Sequence, residues 1–276
     1  MCDSTLAIYC FIDDLLKSLE HKQDVRAQVS DAEVITIALV AMLYFGGNFE
    51  KSRLVLHELG LMKRCLSRSR LNRRLHRLSD LISLTFHRFG SVLKDFNWES
   101  RYLLDSFPVA LCDNIRIARC RIVRDERFRG YQTSKRRYFY GVRVQVITCA
   151  DGVPVEFSVL PGKFADIEGF AHLPLALPEG AHLIADSAYT QFEWEEHLRE
   201  TQNLHLLVVA KSNTRRSIEP RLEEYKKLFR KRIETAFGEL MKLFPKKIHV
   251  TSLKGFILKI SLFLFAFQID KAIINN

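Results

Sequence analysis

The sequence predicts an α/β protein: a mixed sheet with helices on both faces, preceded by an all-helical N-terminal region. Three observations support this fold class. Up to about residue 98, apolar positions recur at helical spacing. Short apolar runs typical of strands then begin, and Asp151-Gly152 joins two of them as a hairpin. Beyond the hairpin, strands and helices alternate along the chain, an order that favours a mixed sheet covered by helices.

The N-terminal region contains helix signals with a clear physical basis. Ser30-Asp31-Ala32-Glu33 is a capping box that opens an apolar helix, and Gly46-Gly47 ends that helix. A shorter helix at about Ser52–Leu59 and a basic amphipathic helix at 67–78 follow. This pair resembles a helix-turn-helix at about 52–78, although a basic surface helix without a ligand has the same pattern. The first interpretation predicts DNA contacts from Arg70, Arg73, Arg74 and Arg77.

The second part of the chain is predicted element by element. Runs rich in branched and aromatic residues, bounded by turn residues, indicate strands. These runs are Arg101–Asp105, Tyr138–Cys149, Val153–Leu160, Leu183–Ala185 and Leu204–Val209. Helices are expected around Phe192–Arg199 and from Pro220 to about Leu243, with a helix or irregular segment starting at Asp166. The apolar run Phe256–Ile269 is interrupted by Lys259 and shorter than the roughly 20 residues that a bilayer requires, so it is predicted to be a core helix.

Positive charge is concentrated in one stretch. The chain of 276 residues has a formal net charge of +10. Between Ile115 and Arg143, ten Lys and Arg stand against Asp125 and Glu126, a local excess of +8. A solvated basic loop would explain such a run, but four aromatic residues interleave with the charges and favour a nucleic-acid partner. In the segment 115–137, called the basic arm, DNA contacts are expected from Arg116, Arg119, Arg121, Lys135, Arg136 and Arg137.

Several function classes lack support in the sequence. There is no glycine-rich phosphate loop and no dinucleotide-binding fingerprint, so no nucleotide cofactor is expected. The six cysteines show no C-x-x-C spacing, which indicates reduced thiols and a cytoplasmic location. No basic-then-apolar leader opens the chain, and no membrane association is expected.

Three acids suggest a catalytic site. Asp186 closes the apolar run Ala181–Ala185, and an acid at the tip of a buried strand is costly unless a positive charge compensates it. Taken alone, Asp186 is better explained as a cap for the helix starting near Thr190. Asp105 ends a similar apolar run, however, and Glu234 lies on a basic helix-like segment. Two strand-end aspartates that lie side by side, approached by a glutamate from a helix across the sheet, would suit a divalent-metal site for phosphoryl transfer.

The expected metal is magnesium. Opening a phosphodiester requires activation of the attacking oxygen and stabilisation of the leaving oxygen, and two divalent ions about 3.5–4 Å apart do both. Magnesium prefers hard oxygen ligands and keeps some waters, so a few carboxylates suffice. We expect two Mg²⁺ ions, with Mn²⁺ able to substitute.

Several stretches together resemble the IS982 family of insertion-sequence transposases, which carry an acidic DDE triad. They are Asp105-Ser-Phe-Pro-Val with Cys112 and Asn114-Ile115-Arg116, Tyr138-Phe139-Tyr140-Gly141, Asp166-Ile-Glu-Gly169, Ile184-Ala-Asp186-Ser-Ala-Tyr189 and Arg232-Ile-Glu234-Thr-Ala-Phe237. The resemblance implies an RNase H-like catalytic domain at 99–276 behind a helical DNA-binding domain at 1–98. It also implies a catalytic metal triad of Asp105, Asp186 and Glu234. The implied partners are double-stranded DNA, as terminal inverted repeats and target, and a second copy of the chain in a dimer on DNA, in a bacterial cytoplasm.

Some transposases of this catalytic fold carry a Tyr-Arg-Glu-Lys signature around the glutamate, and the match here is partial. Arg230 precedes Glu234 by four residues and Lys242 follows by eight, while Tyr225 is only nearby. On a helix, Arg230 and Lys242 share roughly one face with the glutamate, so both are predicted to contact phosphates. Asp166 and Glu168 match the family stretch, but a helix N-terminus explains these two acids equally well.

Three functional hypotheses follow. The leading one is a transposase that cleaves element ends and joins the freed 3′-hydroxyl to target DNA. The alternative from another class is a sequence-specific DNA-binding protein whose nuclease site is decayed or reused. A third is a structure-selective nuclease without strand transfer. Metal-dependent cleavage separates the second from the others, and a joined product separates the first from the third.

Overall fold

A computed structural model describes residues 1–132, 136–208 and 220–275, without the side chains of 220–227 and 230. The chain forms two compact units, one of Met1–Arg88 with Leu240–Asn276 and one of Phe89–Glu239. The sequence predicted a division at 98/99, with the C-terminal residues in the catalytic domain. In the structure, residues 240–276 group with the N-terminal helices. The boundary at 98/99 between a DNA-binding and a catalytic domain stays a prediction.

The first unit is helical, as predicted. Its helices are α1 (Cys2–Ser18), α2 (Asp31–Phe45), α3 (Phe49–Glu58), α4 (Arg68–Arg77), most of α5 (Ser79–Asp95), and α9 (Leu253–Ile269). The capping box is confirmed, because the Glu33 N–H donates to Ser30 Oγ at 3.0 Å and the Ser30 N–H donates to the Glu33 carboxylate at 2.6 Å. Gly46 ends α2 in the left-handed conformation, with φ 54°.

The C-terminal apolar run is a core helix, as predicted. In α9, nearly every residue from Phe256 to Ile269 is buried. Within the described ranges, no single helix is long and apolar enough to span a membrane; by length and composition alone, only α2 and α3 taken together would qualify, and they are bent by 105°.

Two helices occupy the place of the predicted helix-turn-helix. Asn48 caps α3 and Ser67 caps α4, each by accepting a backbone N–H. Arg74 of α4 points inward: its guanidinium donates to the carboxylate of Asp31 and to the carbonyl of Val29. The structure thus gives Arg74 a packing role, and its predicted DNA contact stays a prediction.

The second unit contains a six-stranded mixed sheet. Its strands are β1 (Arg101–Cys112), β2 (Arg129–Gln132), β3 (Arg137–Cys149), β4 (Pro154–Pro161), β5 (His182–Ala185) and β6 (His205–Val208). They lie in the order β2-β3-β1-β5-β6, with β4 also paired to β3. Strands β1, β3 and β4 pair antiparallel, whereas β5 and β6 run parallel to β1.

Helices cover both faces of this sheet, which confirms the predicted fold class. One face packs α6 (Asp166–Phe170) and α7 (Phe192–Gln202) through Phe170 and Leu198. On the other face lies α8 (Pro220–Leu243), whose bounds match the prediction. Its Phe237 ring meets Phe107 of β1 edge-on at 6.4 Å.

The hairpin is confirmed, and two strand predictions need correction. Gly152 has φ +91°, and the Val153 N–H donates to the Asp151 side chain at 3.1 Å. β1 does not end at Asp105 but continues to Cys112, because it pairs with β3 along its whole length. Part of the basic arm forms β2, a strand that the sequence analysis did not predict, by pairing with the start of β3. Val209, the predicted end of the last strand, lies outside the described residues.

Candidate active site

Asp105 and Asp186 leave neighbouring parallel strands at the same level. The pairing of β1 with β5 ends at Leu104 opposite Ala185, and the next residue on each strand is an aspartate. The prediction that Asp105 ends a strand is therefore wrong. Asp105 lies within β1, one residue beyond the last residue that pairs with β5. Since side chains alternate along a strand, Asp105 shares its face with Phe107, and this is the face covered by α8.

The charge of this pair is poorly compensated. Burial raises the pKa of Asp105 to about 7, and the nearby carboxylates of Asp166 and Asp186 act in the same direction. The backbone N–H of Ser106, which donates to Asp105 at 2.7 Å, and the guanidinium of Arg143 act in the opposite direction. A bound cation would stabilise the ionised carboxylate of Asp105, because a nearby positive charge favours the ionised form.

Asp186 also acts as an N-cap, the role expected when this residue is considered alone, but it caps a different element from the one predicted. Its carboxylate accepts the Ser187 N–H at 2.6 Å and opens a short 3₁₀ segment, Ser187–Tyr189. The predicted cap was for a helix near Thr190; α7 instead begins at Phe192. One bond from a backbone N–H leaves carboxylate lone pairs for another ligand.

Glu234 lies on α8 with an exposed side chain. Its neighbours Ile233, Ala236 and Phe237 are buried. The helix lies close to the sheet, since a Cβ built at Gly152 would be 2.9 Å from the Cβ of Ala236. Glu234 stands one turn before Phe237, which contacts the strand carrying Asp105.

The three acids are not gathered into a complete metal site. Across residues 1–132, 136–208 and 220–275, no group of three His, Cys, Asp or Glu side chains is placed to hold a metal ion. The aspartate pair nevertheless fits a hard divalent cation, because it offers carboxylate oxygens and an excess of negative charge. The structure brings Asp105 and Asp186 together and leaves Glu234 outside that pair.

A polar network on the opposite face of the sheet was not foreseen from the sequence. It consists of Ser106, Arg143, Gln145, Asp166 and Tyr189, and is called the back-face network. The Arg143 guanidinium donates to Asp166 at 2.8 Å, and the Ser106 hydroxyl donates to the same carboxylate. The sequence analysis counted Arg143 only among the ten basic residues between Ile115 and Arg143. The signal for the network in the sequence was the pair of acids at 166 and 168.

The predicted DNA contacts divide into three groups. Exposed side chains are those of Arg70, Arg73, Arg77, Arg116, Arg119, Arg121, Arg136, Arg137 and Lys242. Arg74 is paired with Asp31 and largely buried. Lys135 and the side chain of Arg230 lie outside the described residues. At the end of the arm, Tyr131 of β2 lies opposite Tyr138 of β3 with ring centroids 5.0 Å apart, and both side chains are exposed.

Fold and site together define an α/β protein with an acidic site on one face of a mixed sheet. A family model described as a transposase DDE domain matches residues 99–266, and the chain belongs to this family. The family implies DNA as the partner and divalent metal as the cofactor. Searches of curated proteins and of solved structures found no match. The narrower resemblance to the IS982 family stays a prediction.

Proposed function

We propose that this protein is a DDE transposase that cleaves the ends of its insertion sequence and transfers the 3′-hydroxyl strand to target DNA. The observation that carries the proposal is the position of Asp105 and Asp186, one step beyond the last paired residues of two parallel strands. Membership of the transposase DDE family supports the same interpretation.

In this proposal, Asp105 and Asp186 hold the metal ions and Glu234 completes the site from α8. Two Mg²⁺ ions would supply the Lewis acidity that activates the attacking oxygen and stabilises the leaving one. Because Glu234 is outside the aspartate pair, we infer that the helix or its side chain moves toward the pair when DNA and metal bind. Joining two ends requires two such sites, so the active form is a dimer on DNA.

The exposed arginines of α4 and of the basic arm hold the DNA backbone. Guanidinium groups bind phosphates with bidentate geometry and stay charged at any working pH. The exposed Tyr131 and Tyr138 rings add faces on which a base or sugar can pack. These surfaces account for binding, whereas the acid pair accounts for cleavage.

The proposal is tested with a labelled duplex that carries the DNA flanking this protein's own coding sequence, together with a supercoiled plasmid as target. We expect Mg²⁺-dependent nicks that leave a 3′-hydroxyl at both element ends, and a product joined to the plasmid. EDTA abolishes both. Cleavage without joining would favour the structure-selective nuclease, and binding without metal-dependent cleavage would favour the decayed DNA-binding protein.

A salt titration measures the role of the basic arm. Replacing Arg116, Arg119 and Arg121 by Ala should reduce the slope of log K against log salt by about 2 to 3, at roughly 0.9 for each phosphate that the arm no longer neutralises. Arg127→Ala is the matched control, since that guanidinium is already engaged by Asp125 at 2.7 Å. An unchanged slope in the triple variant would remove the arm as a DNA-binding surface.

A further inference from the structure

We propose that Asp166 is a positioning residue of the acidic site, which holds β1 and the segment after β5 in register through the back-face network. The inference rests on the proposed function, in which Asp105 and Asp186 bind metal ions. It adds to that function a residue on the other side of the sheet.

The network ties two strands, β1 and β3, and the 3₁₀ segment after β5 to one helix. Asp166 is the first residue of α6, and its carboxylate accepts from Ser106 of β1 and from Arg143 of β3. Its carbonyl accepts from Gln145 Nε2 at 2.6 Å, and the same nitrogen donates to the Tyr189 phenol at 3.3 Å. Asp166 therefore links elements that are more than twenty residues apart in the chain.

Burial strengthens these bonds. Gln145 is fully buried and Tyr189 is 1% exposed, while the side chains of Arg143 and Asp166 are 15% and 21% exposed. Hydrogen bonds gain strength where water is excluded, and an ion pair held by additional hydrogen bonds is rigid. Such a network costs more to distort than an exposed ion pair, whose contribution is small.

Each catalytic aspartate is next to one end of the network. The N–H of Ser106 donates to Asp105 at 2.7 Å, and the Ser106 hydroxyl donates to Asp166 on the other face. The backbone N–H and the hydroxyl of Ser106 are therefore both held by hydrogen bonds, to acids on opposite faces of the sheet. Tyr189 closes the 3₁₀ segment that Asp186 opens, so its bond with Gln145 anchors the backbone that follows the second aspartate.

Gly169 lets the helix come close enough for this arrangement. A Cβ built at Gly169 would lie 2.6 Å from Leu160 Cδ1 and 2.7 Å from Gln145 Nε2. A side chain there would displace the Leu160 side chain or the Gln145 amide, whose nitrogen donates to the Asp166 carbonyl.

The structure separates Asp166 from Glu168, two acids that the sequence could not distinguish. The Glu168 carboxylate accepts the Ala165 N–H at 2.7 Å and caps the helix. It belongs to none of the bonds of the network. Glu168→Ala therefore removes an acid from the same helix turn without touching Ser106, Arg143 or Gln145, and serves as the matched control.

The first test is Mn²⁺ binding to the full chain, followed by electron paramagnetic resonance, with Asp105→Asn defining the signal of the site. Asp166→Ala should weaken Mn²⁺ binding about 10- to 100-fold, the usual effect of removing a group that orients metal ligands. Asp166→Asn should weaken it less, because the amide oxygen still accepts from Ser106. Glu168→Ala should leave it within about twofold.

The outcomes separate this inference from the proposed function. If Asp105→Asn weakens Mn²⁺ binding and Asp166→Ala does not, the positioning role is wrong and the metal site stands. If Asp105→Asn has no effect, the proposed metal site is wrong, and amide exchange of the metal-free protein then decides the positioning role alone.

Amide exchange measures the order of the two anchored segments directly. In Asp166→Ala, the N–H groups of Ser106 and Ser187 should exchange at least about tenfold faster, while those at the centre of β3 keep their rates. Glu168→Ala should change neither of the two amides. Equal acceleration along the whole sheet, or no acceleration, would overturn the proposal.

Discussion

Asp186→Asn should abolish cleavage, by at least about 10³-fold, and leave DNA binding intact. The substitution removes a negative charge that the metal needs. Its loss should slow cleavage more than the loss of one neutral hydrogen bond to the transition state would. The fold should survive, because the amide oxygen can accept the same bond from the Ser187 N–H that the carboxylate accepts at 2.6 Å. The measurement is Mg²⁺-dependent nicking of end DNA, together with the Kd for the same DNA in EDTA.

Two further substitutions sharpen this result. Glu234→Gln should cause a loss of similar size if the helix delivers the third carboxylate, and Glu239→Gln on the same helix should not. Asp113→Asn is the control for the aspartates, since Asp113 directly follows β1 and its side chain is 73% exposed. Full activity of Asp186→Asn would end the proposed function. If Glu234→Gln alone keeps full activity, Asp105 and Asp186 remain the proposed metal site and Glu234 is not part of it.

Local patterns predicted those parts of the fold that depend on neighbours in the chain. The capping box at Ser30 and the helix from Pro220 to Leu243 are confirmed because each is decided within a few residues. The end of β1 was not predictable in this way. Pro108 argues against a continuing strand, and only pairing with β3, which places it opposite Arg143, keeps the chain extended to Cys112.

The site shows the same limit. The two aspartates could be found because each closes an apolar run, a signal carried by adjacent residues. Arg143 and Arg74 could not be assigned, because their partners Asp166 and Asp31 are 23 and 43 residues away. The sequence analysis predicted a DNA contact for Arg74 from the helix-turn-helix pattern and counted Arg143 in the basic excess between Ile115 and Arg143. Whether a basic side chain faces solvent or closes a buried ion pair depends on tertiary packing.

Asp105→Asn should make the metal-free protein more stable than the wild type at pH 8, on the order of 2–4 kcal/mol for unfolding of the second unit. The pKa of Asp105 is raised from 3.8 to about 7 by burial and by neighbouring carboxylates. Between these two values the folded state holds a proton that the unfolded state has released. The wild type therefore loses stability as pH rises from about 4 to about 7, and the loss persists above that range.

Comparison with the neutral amide isolates this titration from all others. The difference in unfolding free energy between Asp105→Asn and wild type, measured in urea with EDTA, should grow from pH 5 to pH 8. A difference for Asp105→Asn that stays flat over this range would mean that the surroundings do not raise the pKa of the Asp105 carboxyl.

Magnesium should reverse the loss at pH 8 in the wild type only. A ligand that binds the folded state stabilises it by RT ln(1 + [L]/Kd), about 2.7 kcal/mol at a hundredfold excess over Kd. Asp105→Asn lacks the charge that the cation neutralises, so its midpoint in urea should not respond to Mg²⁺. Stabilisation of both proteins by Mg²⁺ would place the cation elsewhere. Stabilisation of the wild type alone would show that a bound cation offsets the cost of burying the ionised Asp105 carboxylate, a cost that lowers the stability of the metal-free fold.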